Sequence, residues 1–177
     1  MNIEESDSFN REDAYKSLTM INTWISNIDT KTSIMIALEG VLLGFVFSSS
    51  NAPIMQYFYY PRCFLLFSFR NLIALVLVFS FYIVSFLSML FFILVLIARV
   101  DKGVSIYFFG SIANMEFTEY EQKVKSISKE ELLIDLKSQV HINSKICTKK
   151  ARFYNKGIAL LIATIVLLFI NKMLGLI

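Results

Sequence analysis

The chain has 177 residues, of which 56% are hydrophobic and 15% aromatic, with a mean hydropathy of +0.61. A soluble globular chain is nearer about 45–50% apolar, and the excess here lies in blocks, so the sequence reads as a membrane protein. Seventeen Lys and Arg against fourteen Asp and Glu leave a net charge of +3, too small to point to nucleic acid, and no basic run with interleaved aromatics supports that partner.

The first thirty residues carry acids and no apolar h-region, so no cleavable signal peptide is expected there. Residues 1–30 are read as a cytosolic N-terminal helix. Its apolar positions Ala14, Leu18, Ile21, Ile25 and Ile28 alternate steps of four and three, a heptad-like seam. Trp24 lies beside that seam, where an interfacial Trp belongs.

Residues 31–49 are expected to form the first transmembrane helix. Glu39 stands about two turns inside its apolar run, a costly depth for a carboxylate that has no partner, proton or wet cavity. Lys31 is eight residues away, about 12 Å along a helix, too far for a direct pair. Glu39 is left with two readings: a helix or subunit interface that lines a path, or a protonated carboxyl that only packs.

Residues 50–70 begin polar and become densely aromatic, and they read as an extracytoplasmic interfacial loop with Tyr57, Tyr59 and Tyr60 at headgroup level. Residues 71–98 are uncharged and long enough for the second span. Three spans with a cytoplasmic N-terminus divide Lys and Arg fourteen inside to three outside, Arg62, Arg70 and Lys172. A fourth span at 53–69 would expose the basic 99–156 region on the far side, against the positive-inside rule.

Residues 99–156 are read as a cytosolic helical region that Arg99, Asp101 and Lys102 open. An aromatic stretch turns at Gly110, and Thr118 with Glu121 suggests a capping box for a helix over 118–126. Ser128 with Glu131 makes another box and starts one helix that continues, without proline, through the third span at 157–177. Leu132, Leu136, Val140, Asn143, Cys147, Ala151 and Tyr154 fall on one stripe of it. Asn143 either fixes register or faces water. The two cytosolic helices, both running toward the membrane, are expected to pack in parallel. So small a cytosolic part is marginal as an independent core, and a homo-oligomer is expected.

The sequence lacks several kinds of chemistry. His141 is the single histidine, and Cys63 and Cys147 have no ligating interval to a partner, so no metal site and no cofactor is expected. The expected topology sets the two cysteines on opposite sides of the membrane, which argues against a disulfide. No phosphate-cradling glycine loop and no nucleophile beside a base is present, and an enzyme is not expected. His141 is a solvated or packed histidine or a ligand contact. The basic run at 149–156, with Lys149 and Arg152, suits lipid headgroups at a membrane boundary or an anionic ligand.

In order, WISNIDTKTSIMIALEGVLLGF, IYFFGSIANM and EELLIDLKSQVHINSKICTKKARFYNKGIALLI resemble the membrane effectors of Pycsar-type bacterial antiphage systems. The likeness covers most of residues 20–170. Its sharpest parts are the Asp29-Thr30-Lys31 entry to the first span, the Phe109-Gly110 turn and the Gln139 region. The family pattern falls on Trp24, Asp29, Lys31, Phe109, Gly110, Ile112 and Gln139, whereas Glu39 departs from the small or polar residue expected there.

In such systems a cyclase makes cyclic UMP or cyclic CMP on infection, and a membrane effector compromises the inner membrane and stops growth of the infected cell. The resemblance implies that function here, with a cyclic nucleotide as ligand, a cyclase encoded nearby as functional partner, and the bacterial inner membrane as location. Trp24, Asp29, Lys31, Phe109, Gly110, Gln139, His141, Lys149 and Arg152 are the ligand-binding residues then expected, with Phe108 and Tyr154 as further rings for a base. No β-roll for cyclic nucleotides fits these segments, so the pocket is helical or lies between subunits. Alternative readings are a scaffold that holds a protein partner and a small channel or transporter subunit that uses Glu39. The expected fold class is an all-α membrane protein of three transmembrane helices, with a small helical cytosolic part continuous with the first and third.

Overall fold

In the computed structural model, residues 9–48, 69–97 and 105–177 are described. Among them are the helices α1 (Arg11–Ser48), α2 (Phe69–Leu96), α3 (Phe109–Ala113), α4 (Phe117–Ser126) and α5 (Lys129–Met173), with no strand. Three of these, α1, α2 and α5, are long and apolar enough to cross a membrane. The protein is thus an all-α membrane protein, as expected. The aromatic loop expected at 50–70, with Cys63, and the charged stop at Arg99, Asp101 and Lys102 lie largely or wholly outside the described residues.

The chain divides into two compact units: residues up to Ile28 with Ile97–Lys150, and Asp29–Leu96 with Ala151–Ile177. Both α1 and α5 contribute to each unit. The alternating four-three step of the N-terminal seam does not stop at Ile28. It continues through Thr32, Met35, Glu39, Leu42 and Val46, and the whole set is buried or half-buried along α1. One face of a 38-residue helix is therefore the packed face throughout.

In the first unit, α1 starts on Asn10, whose Oδ1 accepts the backbone N–H of Glu12 at 2.8 Å and of Asp13 at 3.0 Å. The Asp13 carboxylate accepts Asn10 N–H in return, at 3.1 Å, so three donors of the helix start are satisfied. Asn143 is not left to water: its Nδ2 donates to Asn22 Oδ1 at 2.9 Å. Earlier along both segments, Lys137 Nζ lies 5.5 Å over the Phe9 ring. The two contacts advance in the same direction on both segments, as parallel neighbours require.

Two local expectations are corrected in this unit. Gly110 is not a turn but lies inside the single-turn helix α3, which ends at Asn114, whose Nδ2 donates to Gly110 O. Thr118 does not cap α4; the helix begins at Phe117 with Glu116 as N-cap and no side-chain cap bond. Glutamate is not one of the short polar side chains that suit an N-cap. Helix α4 instead draws on i,i+4 pairs, Lys123–Glu119 at 3.1 Å and Lys125–Glu121 at 2.6 Å, each worth about 0.2–0.5 kcal/mol.

The box expected at Ser128 does form. Ser128 N–H donates to Glu131 Oε2 at 2.8 Å, and Glu131 N–H donates to Ser128 Oγ at 3.2 Å. Helix α5 then runs 45 residues, about 68 Å. It stops short of the C-terminus: Leu176 N–H reaches Asn171 O at 2.9 Å and Gly175 N–H reaches Lys172 O at 3.1 Å. With Gly175 at φ 63°, this is a Schellman ending, which needs a residue free of the Cβ penalty.

The second unit holds α2 against the later parts of α1 and α5. Val78, Phe81, Ser85, Ser88, Phe92 and Val95 are its buried positions on α2, again at alternating steps of three and four. Phe47 stacks near Tyr82 at 5.8 Å while Glu39 meets Ser85 and Ser88, so α2 runs antiparallel to α1. Phe92–Tyr154 and Asn171–Leu77 give the same sense against α5. Outward lie Phe45, Val76, Ile83, Phe86, Ile162 and Phe169, all exposed. Apolar groups outside and polar groups inside is the arrangement a hydrocarbon solvent selects.

Gly157 makes room for the Phe92 ring. A Cβ built on it would stand 2.6 Å from Phe92 Cε1 and 2.7 Å from Cδ1. Gly157→Ala is expected to lower stability by about 1–3 kcal/mol through overpacking, read by thermal unfolding in detergent. Adding Phe92→Leu should recover part of that loss; no loss in the single variant would place the ring elsewhere.

The cap at Ser128 makes a pH prediction. The backbone N–H of Ser128, then its hydroxyl, holds the Glu131 carboxyl below its ordinary value of 4.5. A depressed folded value means that the cap's contribution is present above the ordinary carboxylate range and is lost as pH falls through the folded value. In Ser128→Ala the Glu131 titration should move upward, as NMR of the labelled carboxyl would report.

Candidate functional site

Glu39 is fully buried in the second unit. Because α1 presents one face throughout, position 39 falls where Ala14 and Thr32 fall, toward the bundle interior. Ser85 Oγ donates to Glu39 Oε1 at 3.1 Å. Ser88 Oγ lies 3.1 Å from Glu39 Oε2 and 3.2 Å from the carbonyl oxygen of Gly157. Among the described residues no ion pair reaches Glu39.

A hydroxyl has one proton to give. Ser88 either shares its one proton between the two oxygens or makes a full bond to each, which requires that Glu39 donate to Ser88 and Ser88 donate onward to Gly157. In the second case a neutral carboxyl closes the set: Ser85 to Oε1, Oε2 to Ser88 Oγ, Ser88 Oγ to the Gly157 carbonyl. The chain of bonds links α1, α2 and α5. Ser85 and Ser88 were not singled out from the sequence. Carrying the four-three period of Val78 and Phe81 along α2 would have placed both on the packed face.

Farther along α5, Asn171 is also fully buried. Its Nδ2 donates to Leu167 O at 2.8 Å and Leu77 O at 3.3 Å, and its Oδ1 has no partner. Thr164 turns its hydroxyl back to Leu160 O at 3.0 Å.

In the first unit, Arg11, Glu12, Tyr15 and Tyr107 line a groove of about 430 Å³. The residues expected to bind a ligand lie elsewhere. Trp24 is exposed on α1, and Phe109 is exposed on α3 beside Gly110, its ring 4.8 Å from that of Phe108. Gln139 is buried on α5, while His141 and Lys149 are exposed. These six belong to the first unit; Asp29, Lys31 and Arg152 belong to the second. None of the nine lines the groove. No group of three or more potential metal ligands occurs among the described residues.

The fold and its buried polar set define a helical membrane protein whose polar groups bond to one another rather than to lipid. Two comparisons narrow this. The family model for the Pycsar effector protein domain matches residues 13–175. The Pycsar effector protein GmPycTM of Gulbenkiania mobilis is 38% identical over 186 aligned positions, covering 95% of this chain and 94% of that protein. No solved structure matches the chain. The chain belongs to the Pycsar effector family, and its role is that of an antiphage defence effector.

The hydroxyl cluster is open to test. Glu39→Gln keeps an acceptor for Ser85 and a donor for Ser88, and should unfold within about 1 kcal/mol of the parent. Glu39→Ala leaves the buried Ser85 hydroxyl without its partner, a cost of about 1–3 kcal/mol, while Ser88 keeps the Gly157 carbonyl. Equal unfolding temperatures for the two variants in detergent would show that these bonds contribute nothing.

Proposed function

We propose that the chain is a ligand-gated membrane effector that senses cyclic UMP or cyclic CMP through its cytosolic helices and then breaches the inner membrane of the infected cell. Family membership supports the signal class. The observation that carries the mechanism is that α1 and α5 each run unbroken through both compact units. A shift imposed on the Asn22–Asn143 seam is then a shift of the same two rods that hold Glu39 and Gly157. A ligand drives such a shift only by binding one state more tightly than the other.

In this reading residues 1–30 and 99–156 are cytosolic, 31–49, 71–98 and 157–177 span the bilayer, and the C-terminus is extracytoplasmic. The charge division favours that orientation. A homo-oligomer is part of the proposal. Gly40 and Gly44 support it: both are exposed, one turn apart on a span, and a Cβ on either would meet nothing within 4 Å, the spacing at which small residues let membrane helices approach. The functional partner is the cyclase that makes the nucleotide.

Dye leakage from liposomes carrying the purified protein tests this. Cyclic UMP, cyclic CMP or both should trigger saturable release at low concentration, while cyclic AMP should not. Asn143→Pro, which breaks α5 inside the seam, should keep nucleotide binding and lose release. No release with any nucleotide from correctly inserted protein would favour a scaffold that holds a protein partner.

A further inference from the structure

We infer that the groove between the start of α1 and the 105–107 segment is the nucleotide site, with Arg11 on the phosphate and Tyr15 and Tyr107 on the base. This rests on the reading above that a cyclic mononucleotide is the signal, and it names where and by what chemistry the signal is held.

Each wall of the groove is fixed by bonds already in place. Arg11 and Tyr15 are four residues apart and share one face of α1, and the reciprocal Asn10–Asp13 bonds hold that first turn. The opposite wall is fixed from α5: the Asp135 carboxylate accepts Ser105 Oγ and Ile106 N–H, both at 3.0 Å, and Ser105 Oγ accepts Tyr107 N–H at 3.0 Å. Ser105 is buried at the root of this arrangement. The Tyr107 ring is thus carried on a pinned backbone, while Tyr15 is 60% exposed. A ring carried on a backbone that a carboxylate pins, and open at the surface, is preorganised as a stacking platform.

The charges select the ligand class. Glu12 already pairs with Lys16 at 2.9 Å, and among the described residues no ion pair takes up Arg11. A planar guanidinium suits the two non-bridging oxygens of a phosphodiester, bidentately. A cyclic monophosphate has one negative charge. A 5′-monophosphate near neutral pH is close to a dianion, which one Arg beside the Glu12 carboxylate would leave half unmatched. The groove's volume of about 430 Å³ is at the small end of ligand sites, about 300–1,000 Å³, as a single nucleotide requires.

The test is calorimetric binding of cyclic UMP, cyclic CMP and 5′-UMP to the full chain in lipid nanodiscs. The parent should bind a cyclic pyrimidine nucleotide at least about tenfold more tightly than 5′-UMP. Arg11→Ala and Tyr107→Ala should each weaken that binding by about tenfold or more, and Arg11→Lys by less than Arg11→Ala. Arg11 is exposed, so the unfolding temperature of the Arg11→Ala variant serves as a control and should not change. Parent-like binding in both Arg11→Ala and Tyr107→Ala overturns the groove and leaves the proposed function standing, the more so if Lys149→Ala or Arg152→Ala loses binding instead. No binding of either cyclic nucleotide by the parent overturns both.

Discussion

A carboxyl group inside a membrane-spanning bundle needs every one of its hydrogen bonds supplied from within. Glu39 meets that demand with two serines of one neighbour and, through Ser88, with a backbone carbonyl of another. The bonds are short-range and directional, so they fix rotation and axial register of three helices at once. Dispersion between lipid-like side chains could not do so, because in hydrocarbon the burial of Leu or Phe against protein gains little over burial against lipid. Register in this bundle is a polar matter.

The rest of the packing follows from that level. Residue 157 has no side chain, so the Phe92 ring lies where a Cβ would be, and Ser88 bonds the carbonyl oxygen of the same residue. Phe92 is in turn 6.2 Å from Tyr154. At another level the same helices meet through Asn171 and the Leu77 carbonyl. The unpartnered Asn171 Oδ1 is a cost that the two bonds of its amide nitrogen offset in part. Two polar levels on a face otherwise lined by Val78, Phe81, Val95 and Leu161 define one alignment out of several that shape alone would allow.

The first unit is held together differently. Its order comes from capping bonds and from one carboxylate, Asp135, that gathers a loop onto α5. Such a unit depends on the helices it shares, α1 and α5.

Much was legible from the sequence, and the reasons are local. Apolar runs of span length set the three long helices, since no other pattern hides so many backbone dipoles from lipid. The period of Ala14 to Ile28 marked the packed face of α1, and Ser128 with Glu131 marked the start of α5. What tertiary structure decided was non-local. That Glu39 is answered by Ser85 and Ser88, 46 and 49 residues away, depends on how far α2 slides along α1. That Asn143 finds Asn22 depends on which helices are neighbours. Tyr107 joins Arg11 and Tyr15 because Asp135 on a third segment holds it there. Even local signals failed where competition was close: Thr118 offered a cap, but the helix had already begun at Phe117. Periodicity tells a side chain which way to face; only the packed neighbours tell it what it meets.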